Sequence, residues 1–185
     1  QYLDVREAGE KTPSVDRSLR IARYKSGKYT IERPLHLGAA LSNIDREQRS
    51  QLVNVLSAYG LPLGEAFQLR DDILGIFGDP SVTGKPAGDD LREGKRTVLM
   101  AMALERADQA TAAKITSALG REDLTSDQIE ELRALITATG AVKDVEDLIE
   151  GLLSNALTAA NSAEIAPSAR ELLIELASSA IRRSH

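Results

Sequence analysis

Two adjacent carboxylates, Asp71 and Asp72, lie in the stretch Glu65-Ala66-Phe67-Gln68-Leu69-Arg70-Asp71-Asp72-Ile73-Leu74-Gly75-Ile76-Phe77. Wound into a helix, this stretch has an apolar face of Ala66, Leu69, Ile73, Ile76 and Phe77. Its other face carries Gln68, Asp71, Asp72, Gly75 and, if the helix persists, Asp79, at i, i+3, i+4 and i+7 spacing. An acidic stripe among packed helices is unfavourable unless something compensates it. A hard divalent cation removes the repulsion between neighbouring carboxylates and uses their oxygens as ligands. Magnesium in particular takes one or two carboxylates and completes its shell with water and substrate phosphate. Taken alone, an acidic pair on a helix is more often a solvated face than a metal site.

The residues that follow supply the missing phosphate chemistry. Lys85, Arg92, Lys95 and Arg96 alternate with Asp89 and Asp90 and with Gly84, Gly88 and Gly94. Acid for a metal, lysine for phosphate and glycine for close backbone approach make a coherent diphosphate site. Two resemblances inside this segment fail on their details. Gly78…Gly84-Lys85 and Gly88…Gly94-Lys95 each have five intervening residues where a nucleotide P-loop has four, and Pro86 and Arg96 replace its Ser or Thr. Asp79 to Asp90 imitates a calcium-binding loop, but Pro80 and Pro86 interrupt it and the terminal Glu is absent. A second basic cluster, Arg23-Tyr24-Lys25-Ser26-Gly27-Lys28-Tyr29, lies upstream. Lys25 and Lys28 share a helix face if the helix survives Ser26-Gly27; a break there would turn backbone groups towards a ligand.

The elements that must position these groups read as helices throughout. Residues 15–43 are helical, with interruptions expected near Ser26-Gly27 and at Pro34. Leu52, Val53, Leu56 and Tyr59 mark a packed helix over 45–59, and Gly60 and Pro62 predict a break or kink before a second helix over 63–77. Residues 78–96 read as a long ordered loop, a feature more often functional than accidental. Helix resumes over 97–119 and stops at Gly120. Thr125 with Gln128 predicts a capping box opening a helix to about Thr139. Val142, Val145, Leu148, Ile149, Leu152 and Leu153 line the next helix, and a last one starts near Pro167 and carries Leu172, Leu173, Leu176 and Ile181. The fold class is all-α.

Composition narrows the function. The 185 residues are 42% hydrophobic, 28% charged and only 3% aromatic, enough for one domain with a real core. A net charge of −5 gives no support to general nucleic-acid binding. Without cysteine there is no disulfide, thiolate nucleophile or sulfur-bound zinc, which fits a cytoplasmic protein. No apolar run reaches the length of a membrane span. The sequence opens Gln1-Tyr2-Leu3-Asp4 without an initiator Met, as a fragment, a processed product or the ordered part of something longer would.

Taken together, the motifs resemble the trans-isoprenyl (polyprenyl) diphosphate synthases, and most closely the bacterial short-chain geranylgeranyl type. The matching strings are Lys25-Ser26-Gly27, then Tyr59-Gly60…Gly64…Phe67-Gln68-Leu69-Arg70-Asp71-Asp72, then Gly84-Lys85-Pro86-Ala87-Gly88-Asp89-Asp90-Leu91-Arg92-Glu93-Gly94-Lys95-Arg96-Thr97. Gln1 and Asp4 look like the element that precedes the lysine motif. The resemblance covers roughly residues 1–100 and implies that residues 1–185 form a single domain portion, the C-terminal part of an isoprenoid-synthase helical bundle with its active-site cavity between helices. It implies a prenyltransferase that joins isopentenyl diphosphate to an allylic diphosphate, with Mg2+ as cofactor and geranylgeranyl diphosphate as product. Asp71 would bind magnesium directly and Asp72 would support it. Lys25, Gln68 and Lys85 would hold the allylic diphosphate with help from Ser26, Phe67 would face the isopentenyl hydrocarbon, and Lys95 and Asp90 would stand behind them. A homodimer is also implied.

Two departures stand out. The family motif is Asp-Asp-x-x-Asp, and here Gly75 replaces the third acid, with Asp79 a possible partial substitute. The family's first aspartate-rich motif and the helices around it have no match in the chain, so the chain by itself is expected to be inactive. A non-catalytic subunit of a heteromeric synthase is the alternative, to which Gly75 lends slight support. His36, in Pro34-Leu35-His36-Leu37, is expected to be a packing or dimer-face residue, and Arg182-Arg183 either reach the substrate or complement the last helix dipole.

Overall fold

Apolar residues three and four apart recur along the whole chain, and the chain coils accordingly. The computed structural model describes residues 14–84, 86 and 88–182, with the side chains of Val82 and Thr83 set aside. Among the described residues there is no strand, as the all-α reading requires. The elements are α1 (Val15–Ala22), a π-helix (Arg23–Glu32), α2 (Arg33–Leu41), α3 (Arg46–Phe77), α4 (Pro80–Thr83), α5 (Asp89–Arg92), α6 (Val98–Arg106), α7 (Gln109–Ala118), α8 (Ser126–Ala138), α9 (Ala141–Ala160) and α10 (Pro167–Ile181). They fall into two compact units. One gathers the described parts of Gln1–Ile21 and Leu69–Asp147; the other gathers Ala22–Gln68 and the described part of Leu148–Ser184. No helix among the described residues is long and apolar enough to cross a membrane.

In the second unit the expected interruption at Ser26-Gly27 is a widening rather than a break. Ten residues adopt π-helical bonding, and the Arg33 N–H donates to the Lys28 carbonyl five residues back. Pro34 then falls in the first turn of α2, which continues directly from the π-helix, so the proline marks the change of helix type rather than an interruption. Of the break or kink expected at Gly60-Pro62, no break occurs. Helix α3 runs 32 residues with Pro62 inside it. A mid-helix proline costs about 3 kcal/mol, and burial around it outweighs that penalty: Leu56, Tyr59, Leu63 and Ala66 are all buried.

Tyr59 is a principal anchor of this unit. It is fully buried, and its hydroxyl donates to the Leu173 carbonyl of α10 at 2.8 Å. Burial pushes this hydroxyl up to about 12. The unfolded chain loses the same proton near pH 10, so the stability tied to Tyr59 is complete below that pH. It should fall away progressively between about pH 10 and about 12. Chemical denaturation of Tyr59→Phe should show a loss of about 1 kcal/mol at neutral pH and a flatter decline over that alkaline range. An unchanged alkaline slope would remove Tyr59 as its cause.

Helix α10 departs from expectation on one face. Ile181 is buried, but Leu172 and Leu176 are exposed, as are Leu37 and Leu41 of α2. Leu172 and Leu176 line a cavity of about 770 Å³ together with Leu35, Leu52 and Leu56. His36 bonds the Ser57 hydroxyl across 2.8 Å, the packing role expected of it.

The first unit follows local signals closely. Thr125 and Gln128 form the expected capping box, with bonds of 3.3 and 2.9 Å, at the start of α8. The expected helix over 97–119 is instead two helices, because Asp108 caps a new start by accepting from the Thr111 N–H at 2.7 Å. The long loop 78–96 contains two single turns, α4 and α5. Gly88, which precedes α5, has φ 66°, and a Cβ there would lie 2.8 Å from Ile129. Only glycine allows both that backbone and that approach.

Candidate diphosphate and magnesium site

Each unit holds part of the expected residue set. In the second unit, the π-helix carries Lys25 exposed and Ser26 and Gly27 buried. Gly27 faces α3 at very short range: a Cβ on Gly64 would lie 2.4 Å from Gly27 Cα and 2.6 Å from the Ser26 carbonyl oxygen. This contact of backbone on backbone brings Ser26 within reach of α3, where its hydroxyl donates to Gln68 Oε1 at 2.7 Å. Two residues assigned separately to the diphosphate are thus bonded directly to each other. Phe67, next to Gln68, is half-buried. Lys28 lies over the Tyr24 ring, 5.0 Å from its centre, a cation–π contact along the helix. Glu65 packs near Arg23 at 3.6 Å; burial raises its carboxyl above the usual range, and the Arg23 charge only partly offsets that.

In the first unit, the end of α3 carries Asp71 half-buried and Asp72 buried. The helix is pinned beside them. Arg70 makes a two-pronged ion pair with Glu146, at 2.6 and 2.7 Å, and Arg133 donates to the Ile76 carbonyl at 2.7 Å. Such forks fix orientation as well as charge. α3 ends at Phe77, so Asp79 leaves the acidic stripe. Its carboxylate caps α4, accepting from the Ser81 N–H at 2.8 Å and from the Ser81 hydroxyl at 2.7 Å. Those bonds hold it below the usual carboxylate range, and it is not the substitute acid that the motif suggested.

The loop residues gather around Asp90. Its carboxylate is buried against Gly75 and ion-paired with Lys95, and Lys95 also reaches Glu93 at 3.2 Å. Burial alone would lower the Lys95 ammonium, but hydrogen bonds and charge from Asp90 and Glu93 outweigh it and hold it above its ordinary value. Asp89, Asp90 and Glu93 each place a carboxylate oxygen within 4.8 Å of the others. Arg92 ties the segment down by donating to the Leu124 carbonyl at 2.9 Å, and Ser18 of α1 donates to the Arg96 carbonyl at 3.0 Å. Lys85, Gln1, Asp4 and Arg183 lie outside the described residues; Arg182 closes α10 and is exposed.

The donor set suits magnesium. It consists of carboxylate oxygens alone, the donors a hard divalent cation takes, and the space beside Gly75 is filled by the Asp90 carboxylate. Asp71 and Asp72 would hold the ion.

Comparison with known proteins agrees with this chemistry. The polyprenyl synthetase family matches residues 1–136. A geranylgeranyl diphosphate synthase of Mycobacterium tuberculosis is 34% identical over 140 residues, 76% of this chain and 39% of that protein. Among solved structures, a geranylgeranyl pyrophosphate synthase of Corynebacterium glutamicum, complexed with isoprenyl diphosphate and magnesium, superimposes with a TM-score of 0.92 at 41% identity. That match covers all of this chain and 51% of the other. A polyprenyl synthase of Caulobacter crescentus, complexed with calcium and isoprenyl diphosphate, matches with a TM-score of 0.84 at 32% identity, over 99% of this chain and 54% of that one. The chain belongs to the polyprenyl synthetase family, the trans-isoprenyl diphosphate synthases. It spans about half the length of the solved relatives and less of the curated ones.

Proposed function

We propose that this chain carries the magnesium- and allylic-diphosphate-binding part of a short-chain all-trans prenyl diphosphate synthase of the geranylgeranyl class, working as a homodimer. The observation that carries the reading is α3 itself: one unbroken helix bears Gln68, already bonded to Ser26, and then Asp71 and Asp72 at i+3 and i+4. The Corynebacterium relative, with its isoprenyl diphosphate and magnesium, supports the ligand assignment.

In the reaction, the C–O bond of the allylic diphosphate breaks and its electron pair leaves with the diphosphate. The alkene of isopentenyl diphosphate attacks the allylic cation, and a proton is then lost to restore a double bond. Asp71 and Asp72 would hold the magnesium, which would supply charge neutralisation for the leaving diphosphate. Lys25 and Lys85 add ammonium groups on the same charge, where fixed cations act most strongly in the transition state. Ser26 and Gln68 hold each other in place and offer dipoles towards the cation. Phe67 presents an apolar edge to the isopentenyl chain. None of these residues need form a covalent bond to substrate.

Inorganic pyrophosphate with Mg2+ should raise the melting temperature of the intact protein, and neither should do so alone. Incubation with isopentenyl and farnesyl diphosphates should give a longer prenyl diphosphate. No stabilisation together with no product would sink this reading and favour a non-catalytic subunit.

A further inference from the structure

Arg70 immediately precedes the Asp pair on α3, and its side chain reaches α9, 76 residues further along. Nη1 donates to Glu146 Oε1 at 2.6 Å and Nη2 to Oε2 at 2.7 Å. The pair is largely out of water: Arg70 is 8% exposed, and two-thirds of the Glu146 side chain is covered. The guanidinium is also incompletely satisfied, since its Nε is buried with no hydrogen-bond partner among the described residues. Such a pair is a poor way to hold a fold together. Desolvation of both charges offsets much of their attraction, and an orphaned buried N–H is a further cost. Apolar side chains of similar volume often serve stability as well or better. This part of α3 has another source of stability, because Leu69, Ile73 and Ile76 are fully buried.

What apolar burial does not supply is direction, because it depends on area rather than angle. A planar two-point fork does supply it. Successive helical residues are about 100° apart, so a rotation fixed at residue 70 fixes the directions of 71 and 72. A carboxylate about 6 Å from the helix axis swings by about 1 Å when the helix turns by about 10°. A preorganised site does not absorb an error of that size. Arg133, bonded once to the Ile76 carbonyl, fixes where α3 ends; the fork fixes which way it is turned. We propose that the Arg70–Glu146 fork sets the rotation of α3 and so aims Asp71 and Asp72, at no net gain in stability. The proposal rests on reading the Asp pair as the magnesium-binding group. Arg70 and Glu146 are then positioning residues that act through the pair rather than on metal or substrate.

The test uses the intact protein as wild type, Arg70→Lys, the double variant Arg70→Met/Glu146→Leu and, as a control on α9, Asp144→Asn. Asp144 lies two residues before Glu146 and pairs with Arg106 instead of with α3. Three quantities are read: the ligand-free melting temperature, the magnesium concentration that half-saturates its rise with inorganic pyrophosphate, and the turnover rate at saturation. The double variant should melt close to wild type or above it. It should nevertheless need about tenfold more magnesium and turn over about 10²-fold more slowly. Arg70→Lys keeps the charge and loses the fork, so its magnesium requirement should rise too. Asp144→Asn should leave that requirement unchanged. A double variant that melts far below wild type makes the pair a stabiliser and overturns the proposal. So does a double variant with the wild-type magnesium requirement, an Arg70→Lys protein that matches wild type, or an Asp144→Asn protein that shifts the requirement as far as the double variant. A wild type that does not respond to Mg2+ and pyrophosphate overturns the functional reading and this proposal together; a responsive wild type with any of those four results overturns this proposal alone.

Discussion

Asp71→Ala in the intact protein is expected to lower the rate of prenyl transfer by about 10³-fold, with a much smaller effect on its melting temperature. Asp71 is half-buried rather than core, on a helix whose end is held independently by the Arg70–Glu146 fork and the Arg133 bond to Ile76. Removing its carboxylate therefore leaves the scaffold standing. What is lost is charge placed where the leaving diphosphate becomes more negative, and preorganised electrostatic contacts of that kind are worth roughly 10²–10³ in rate each. On the proposed role of Asp71, loss of a metal ligand adds to that. Steady-state rates at saturating substrate, measured across magnesium concentrations, check the expectation. If high magnesium restores wild-type turnover, Asp71 contributes affinity only; near-normal turnover at low magnesium would refute its role outright.

Gly64→Ala should be the most disruptive conservative change in the second unit. The added methyl would meet Gly27 Cα at 2.4 Å, Gly27 N at 2.6 Å and the Ser26 carbonyl oxygen at 2.6 Å, all of them backbone. No side-chain rotation relieves such a clash, so the π-helix and α3 must separate. Overpacking of this kind costs about 1–3 kcal/mol and sometimes more, which for a chain of this size lowers the melting temperature by roughly 2–4 °C per kcal/mol. Separation also draws Ser26 away from Gln68, so allylic substrate should bind more weakly as well. Gly151→Ala is the matching control, since a Cβ there meets nothing within 4 Å and α9 should gain slightly from the better helix former. If the two alanine variants melt alike, the close crossing is not a constraint.

Much of this was legible in sequence wherever the signal was local. The capping box at Thr125 and Gln128, the start of α10 at Pro167 and the polar face of Gln68, Asp71 and Asp72 depend on residues within a turn or two of each other. What was not legible depends on partners distant along the chain. Pro62 looks like a helix breaker until Tyr59 is seen buried and bonded to Leu173, 114 residues away. Gly27 reads as a possible helix break and Gly64 only as part of a motif, yet each is small because the other is there. Two adjacent glycine-tolerant helices carry no periodic mark of which turn will meet which. Asp79 was a reasonable substitute acid by spacing; the end of α3 at Phe77 and its own capping bonds remove it. Leu172 and Leu176 fit an apolar stripe by period, but periodicity does not say which apolar residues remain exposed.

The crowding at Gly75 also makes one position of α3 answerable to a turn fifteen residues further along the chain. A Cβ at 75 would meet the Asp90 carboxylate, so any larger residue there requires that side chain, and its pairing with Lys95, to shift. A substitution on the helix is thus felt first in the segment 90–95 rather than in the helix itself.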